Sequence, residues 1–170
     1  MAKHILSVLV ENQAGVLSRV AGLFSRRGFN IDSLAVGITE NPDVSRMTIV
    51  VDGDEYIIEQ VTKQLNKLID VIKIKKLDPK ESIARELVLI KVAANATTRS
   101  EIIQIVEIFR ANIVDVSKTT LTVEVSGDED KVKALEDMLR QFGIKEIVRT
   151  GTIAIERGTR VIKAANNERE

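Results

Sequence analysis

The chain has 170 residues, and its 25 Lys and Arg balance 25 Asp and Glu, so its formal charge is zero and a basic face for nucleic acid or a membrane surface is not expected. Cysteine is absent, which excludes disulfides, thiolate catalysis and cysteine-based metal sites, and fits a cytoplasmic protein. With 44% hydrophobic residues the chain can bury a core, yet no apolar run approaches the ~18 residues of a membrane span, and the N-terminus passes straight into a strand pattern without a secretion signal.

Leu6, Val8 and Val10 alternate as a strand with one buried face. Asn12, Gln13, Ala14 and Gly15 break that pattern. Val16, Leu17, Val20, Leu23 and Phe24 then form a helical stripe, with Arg26 and Arg27 in the last turn and Gly28 as the stop. Asn30 and Ile31 open the next strand, which continues through Leu34, Val36 and Ile38. Asn41-Pro42-Asp43 signals a turn, and Met47, Ile49 and Val51 return as the second arm of a hairpin. Asp52-Gly53-Asp54 caps a helix carrying Ile57, Ile58, Val61, Leu65 and Leu68, and Val71, Ile72 and Ile74 make a fourth strand. The order β-α-β-β-α-β is the ferredoxin-like split unit, with both helices on one face of an antiparallel sheet.

Residues 78–84, with Pro79 and mixed charge, read as a linker between a first domain at 1–77 and a second at 85–158. The pattern repeats there at an offset of roughly 82 residues. Leu87 to Val92 is a strand. Thr98 and Glu101 fit a capping box before a helix that buries Ile102, Ile105, Val106 and Phe109. Ile113, Val114 and Val116, then Leu121, Val123 and Val125, form two more strands. Gly127-Asp128 opens a helix with Val132, Leu135, Met138 and Leu139 inside, closed by Gly143, and Ile144 to Ile155 supplies one last strand. The chain from Glu156 on is polar and charged, and 159–170 is expected to be a frayed tail. The fold class is thus α+β, two tandem ferredoxin-like βαββαβ domains.

The chemistry of the first domain lies in its first loop. A helix N-terminus offers unpaired N–H groups and a partial positive charge, and Gly15 lets a ligand approach the backbone closely. The Asn12 amide can both accept from an ammonium and donate to a carboxylate. Together these suit the two charged ends of a free amino acid. The plainer alternative makes Asn12 a helix cap and Gly15 a turn residue. In the second domain, Ala93-Ala94-Asn95-Ala96-Thr97 occupies the equivalent loop and has no glycine, so sensing is assigned to the first half, and assembly or contact with another subunit to the second.

The stretch ENQAGVLSRVAGLFSRRGFNIDSL resembles the opening of the small, regulatory subunit of acetohydroxyacid synthase (acetolactate synthase). The likeness continues through Asp43 to Ile49, Glu107 to Val116 and Arg149-Thr150-Gly151, and covers nearly the whole chain. It implies that the first half is an ACT domain, an amino-acid-sensing module. It further implies a homodimer or larger assembly, and a large catalytic subunit that condenses 2-keto acids with thiamine diphosphate, a divalent metal and FAD. None of those cofactors is expected on this chain. The resemblance also implies activation of that partner and feedback inhibition, usually by valine. The implied site has the effector carboxylate on backbone N–H groups from Ala14 to Leu17, beside Gln13. The ammonium would lie between Asn12 and the Asn30 of a second copy, with the aliphatic group against Val16 and Ile31. A free-standing amino-acid-binding regulator and a purely structural adaptor remain open alternatives.

No catalytic constellation emerges. His4 is the single histidine, and no G-x-S-x-G, H-E-x-x-H or P-loop spacing occurs. Asp52, Asp54 and Glu55 sit where a helix start favours acids in any case. RNA binding by such a fold needs aromatic residues on the central strands, and Met47 to Val51 has none.

Overall fold

The computed structural model describes residues 2–164. They divide into two compact units: residues 2–83 together with 152–164, and Ala84–Gly151.

In the first unit the elements are β1 (Ala2–Glu11), α1 (Val16–Arg27), β2 (Ile31–Ile38), β3 (Val44–Gly53), α2 (Glu55–Leu65) and β4 (Val71–Leu77). The sheet order is β2-β3-β1-β4, antiparallel throughout. Strand alternation sends Leu6, Val8, Val10, Met47, Ile49 and Val51 to one face. There they meet Val16, Val20, Leu23 and Phe24 of α1 and Ile58, Val61 and Leu65 of α2 in one buried cluster. Asp54 caps α2 by accepting from the Ile57 N–H at 2.9 Å. Leu68, expected on that helix, follows it in a turn, its N–H bonded to the Leu65 carbonyl at 3.0 Å.

The second unit repeats the pattern with β5 (Ser82–Ala93), α3 (Arg99–Ile108), β6 (Asn112–Val116), β7 (Thr120–Gly127), α4 (Glu129–Arg140) and β8 (Ile144–Arg149), in the order β6-β7-β5-β8. Its core joins Val88, Ile90 and Val92 to Ile102, Val106, Val132 and Leu135. Two expectations fail here. Met138 is exposed, because it sits off the stripe that Val132, Leu135 and Leu139 bury. Thr98 and Glu101 form no capping box: Thr98 is the N-cap of α3, but its hydroxyl accepts from the Asn95 N–H instead.

The stretch read as one last strand is two. β8 ends at Arg149, Gly151 turns the chain at φ +86°, and β9 (Ile153–Glu156) follows and pairs with β5. Beyond it the described residues are anchored to the first unit rather than frayed: the Arg157 N–H donates to the Glu81 carbonyl at 2.8 Å, the Arg160 guanidinium meets Glu81, and Ile162 is buried. The rest of the expected tail, residues 165–170, lies outside the described residues. Of the expected linker only residues 78–81 form a turn, in which Asp78 holds Lys80, Glu81 and Ser82; Ser82 to Ala84 already belong to β5.

Candidate functional site

Residues 12–15 join β1 to α1, and the start of this connection is held from two sides. The Glu11 N–H donates to the Asp70 carbonyl at 2.9 Å, and the Asn12 N–H to the Asp43 carbonyl at 2.8 Å. The loop is thereby pinned between the start of β4 and the β2–β3 turn. Gly15 is the N-cap of α1 at φ +86°, a left-handed conformation that explains why glycine stands there. α1 has no side-chain cap and no acid in its first turn, whereas Asp54 and Asp128 cap α2 and α4. The Val16 N–H donates to the Gln13 carbonyl at 3.4 Å, so the N–H groups of Leu17 and Ser18, with their share of the helix dipole, are the ones left to an external acceptor. In the second unit, the Asn95 side chain accepts from the Thr97 and Thr98 N–H groups at 2.9 and 3.0 Å, so that loop supplies its own acceptor.

Two residues at this loop escape a reading of the sequence. Arg19 folds back so that a Cβ on Gly15 would come within 3.0 Å of its Nη1. Its Nε and Nη2 grip Asp70 Oδ2 and Oδ1 at 2.5 and 3.1 Å. The Arg19 hydrogen bond holds the Asp70 carboxyl below its usual range, and Asp70 in turn raises the Arg19 pKa. A cation one turn into a helix, against the dipole, is the signal that could have marked the pair; the 51-residue separation hides its partner.

The expected site residues divide by what they touch. Asn12 is not a helix cap: its Oδ1 accepts from Ser45 Oγ at 3.1 Å and its Nδ2 donates to the Pro42 carbonyl at 2.8 Å. Gln13, Ala14 and Gly15 are exposed. Val16 is 3% exposed and packs in the core, so only its backbone can face a ligand, while Leu17, at 48%, is the apolar side chain that points outward. Asn30 is exposed, and Ile31 is half-buried beside Val51.

One chain does not bring these two groups together. Ile31 pairs with Val51, which pairs with His4, whereas the loop follows Glu11. Seven residues along β1 separate those ends by about 23 Å. The other end of β2 is the near one: Ile38 pairs with Ser45, the residue bonded to Asn12. Among the described residues no cluster of His, Cys, Asp or Glu could hold a metal ion, and no helix is long and apolar enough to cross a membrane.

A split βαββαβ sheet with a glycine-capped first helix, and a second copy of the unit in tandem, is the architecture of an ACT-type chain. The family described as the AHAS small subunit-like ACT domain matches residues 6–73, and the small subunit of acetolactate synthase matches residues 85–158. The chain belongs to the acetolactate synthase small-subunit family, which makes it a regulatory component with a large catalytic subunit as its implied partner. The "Probable acetolactate synthase small subunit" of Archaeoglobus fulgidus is 58% identical over 158 residues, 93% of this chain and 99% of that one. The acetolactate synthase small subunit of Mycobacterium bovis is 57% identical over 162 residues, 95% of this chain and 96% of that one. The crystal structure of the Thermotoga maritima acetolactate synthase small subunit superposes with a TM-score of 0.86 at 44% identity, covering 93% of this chain and 99% of that one.

Proposed function

We propose that the chain activates the catalytic subunit of acetolactate synthase and makes it sensitive to feedback inhibition by valine, or another branched-chain amino acid, held between two copies of the first unit. The observation that carries this reading is the uncapped, Gly15-led start of α1. An amino-acid carboxylate is the acceptor that those N–H groups lack, and charge-assisted bonds of this kind contribute roughly 1.5–3 kcal/mol each.

The second half of the pocket comes from symmetry. β2 is an edge strand whose outer rim is open, with Val36 and Ile38 exposed. If two copies pair antiparallel along β2 about a two-fold axis, the start of one β2 lies beside the end of the other. Asn30 and Ile31 of the second copy then arrive at the loop end of the sheet, beside Ser45, Asn12 and Leu17. The Asn30 amide, which makes no hydrogen bond among the described residues, is available to the ammonium group. A ligand that binds one pairing geometry better than another shifts the dimer toward it, and that differential affinity is what reaches the catalytic subunit. Thiamine diphosphate, the divalent metal and FAD reside on the large subunit in this reading, and the regulatory complex is cytoplasmic.

Calorimetry with valine, leucine and isoleucine, followed by reconstitution with the large subunit, tests the proposal. Heat from at least one of them, together with inhibition of the reconstituted enzyme by that amino acid, is expected. Activation without any bound amino acid would reduce the chain to an assembly factor.

A further inference from the structure

The face of the first sheet opposite α1 and α2 is not bare. Register places Ser7 between Thr48 and Lys75, and Leu9 beside Arg46, all on that outer face. Ser7, Leu9, Thr48 and Val50 are buried there. The chain that returns after the second unit reaches this face at two points. The Thr152 N–H donates to Ser33 Oγ at 2.8 Å, on β2. Glu156 Oε1 meets Lys75 Nζ at 2.7 Å, on β4, with the Glu156 side chain only 7% exposed.

These two anchors lie on opposite edges of the sheet. Three strand spacings of ~4.8 Å separate β2 from β4, or about 14 Å, and four residues of extended chain at ~3.4 Å each span the same distance. The segment is extended as β9 and runs between the two edges, with Ala154 and Glu156 inward and Ile153 and Ile155 outward. Burial lowers the Arg46 pKa, and Glu156 is among the acids whose charge offsets that cost. Arg46 is further held by Ser7 Oγ at 2.8 Å. Glu156 Oε2 is buried without a hydrogen-bond partner, so its carboxylate is committed to this face and not to solvent.

We propose that Thr152 to Ile162 is a strap that holds β2 in place, with Ser33 and Glu156 as its positioning residues. Ser33 sits where the β2–β3 register shifts, between Ile31 and the rest of the strand. A pull on the strap is thus felt at the residues that the proposed effector site takes from β2. The link to effector binding rests on the function proposed above, while the hold on β2 does not.

Hydrogen exchange and calorimetry on the full chain test the two parts separately. Glu156→Ala should raise exchange at least tenfold in 152–162 and also in the 29–36 segment, more than 100 residues away in sequence. Ser33→Ala should do the same and weaken valine binding by about two- to tenfold, the equilibrium worth of one hydrogen bond. Ser33→Thr, which keeps the hydroxyl, should restore both. Faster exchange in 152–162 with β2 unchanged in Glu156→Ala would overturn the strap, as would equal exchange in all chains. Faster exchange in β2 with unaltered valine affinity in Ser33→Ala would remove its link to the effector. A wild-type chain that releases no heat with valine, leucine or isoleucine, yet shows coupled exchange, would overturn the proposed function and leave the strap standing.

Discussion

Gly15 is the residue where sequence, backbone and the proposed ligand chemistry meet. Its φ of +86° costs an L-residue about 1–2 kcal/mol, with Asn and Asp the better tolerated. An Asp at this position would add more than backbone strain, because its Cβ would start 3.0 Å from the Arg19 guanidinium. We expect Gly15→Asp to draw Arg19 away from Asp70, occupy the open helix N-terminus and repel the effector carboxylate. Loss of one or two charge-assisted bonds corresponds to about tenfold to several hundredfold weaker valine binding, measured by calorimetry while circular dichroism reports an intact fold. Unchanged affinity would place the effector elsewhere. Asp70 gives an independent expectation. Its carboxyl titrates lower in the fold than its ordinary 3.8, so the Arg19 pair stabilises the first unit above that pH and the benefit is lost as pH falls through the depressed value. Thermal midpoints followed from pH 5 downward should therefore drop less steeply in Asp70→Asn than in wild type. Parallel curves would show that the pair contributes nothing to stability.

Among the elements, helix caps and strand edges account for both the legible and the illegible parts of the fold. α2 and α4 were readable because Asp54 and Asp128 announce them locally and each then accepts the N–H three residues on. Replacing either by Ala should cost about 0.5–2 kcal/mol in denaturant unfolding; Asn95→Ala should also destabilise α3, since Asn95 and not a Thr98–Glu101 box organises that start. The apolar stripe of α1 was equally plain, but periodicity alone did not say that Val16 turns inward and Leu17 outward. Asn12 looked like a free amide because its partners, Pro42 and Ser45, lie on another hairpin. β9 was hidden for the same reason: its inward side carries Ala154 and Glu156, and a carboxylate whose cation is Lys75 looks like surface until the strands are laid side by side. Edge pairing makes its own prediction. Lysine on an edge strand discourages association, so Val36→Lys with Ile38→Lys should lower the mass seen by light scattering and abolish valine binding together. A double variant that stays dimeric would locate the contact away from β2.

For the whole molecule, chain order and unit boundaries do not coincide. A fragment ending near Pro79 contains the Gly15 loop, Asn30 and every strand of the first sheet, and was the natural sensing module on sequence grounds. It lacks Thr152 and Glu156, so Ser33 and Lys75 lose their partners and the buried outer face opens. We expect this fragment to bind valine more weakly than the full chain and to melt less cooperatively, whereas a chain ending at Ala164 should match full length in both. Equal binding by the 1–79 fragment would mean that the outer face is dispensable for sensing.

The returning strap also sets a schedule for biosynthesis. A ribosome makes the four strands of the first sheet before the residues that cover their far side, and the intervening unit delays Thr152 by roughly 70 residues, on the order of 3–14 s at ~5–20 residues per second. During that interval the nascent chain presents Leu9, Val50 and an Arg46 without its Glu156 partner to solvent. The first unit to be translated is thus the last to be finished, and a pause or stop codon anywhere in the second unit leaves the first sheet with its back exposed to chaperones and proteases.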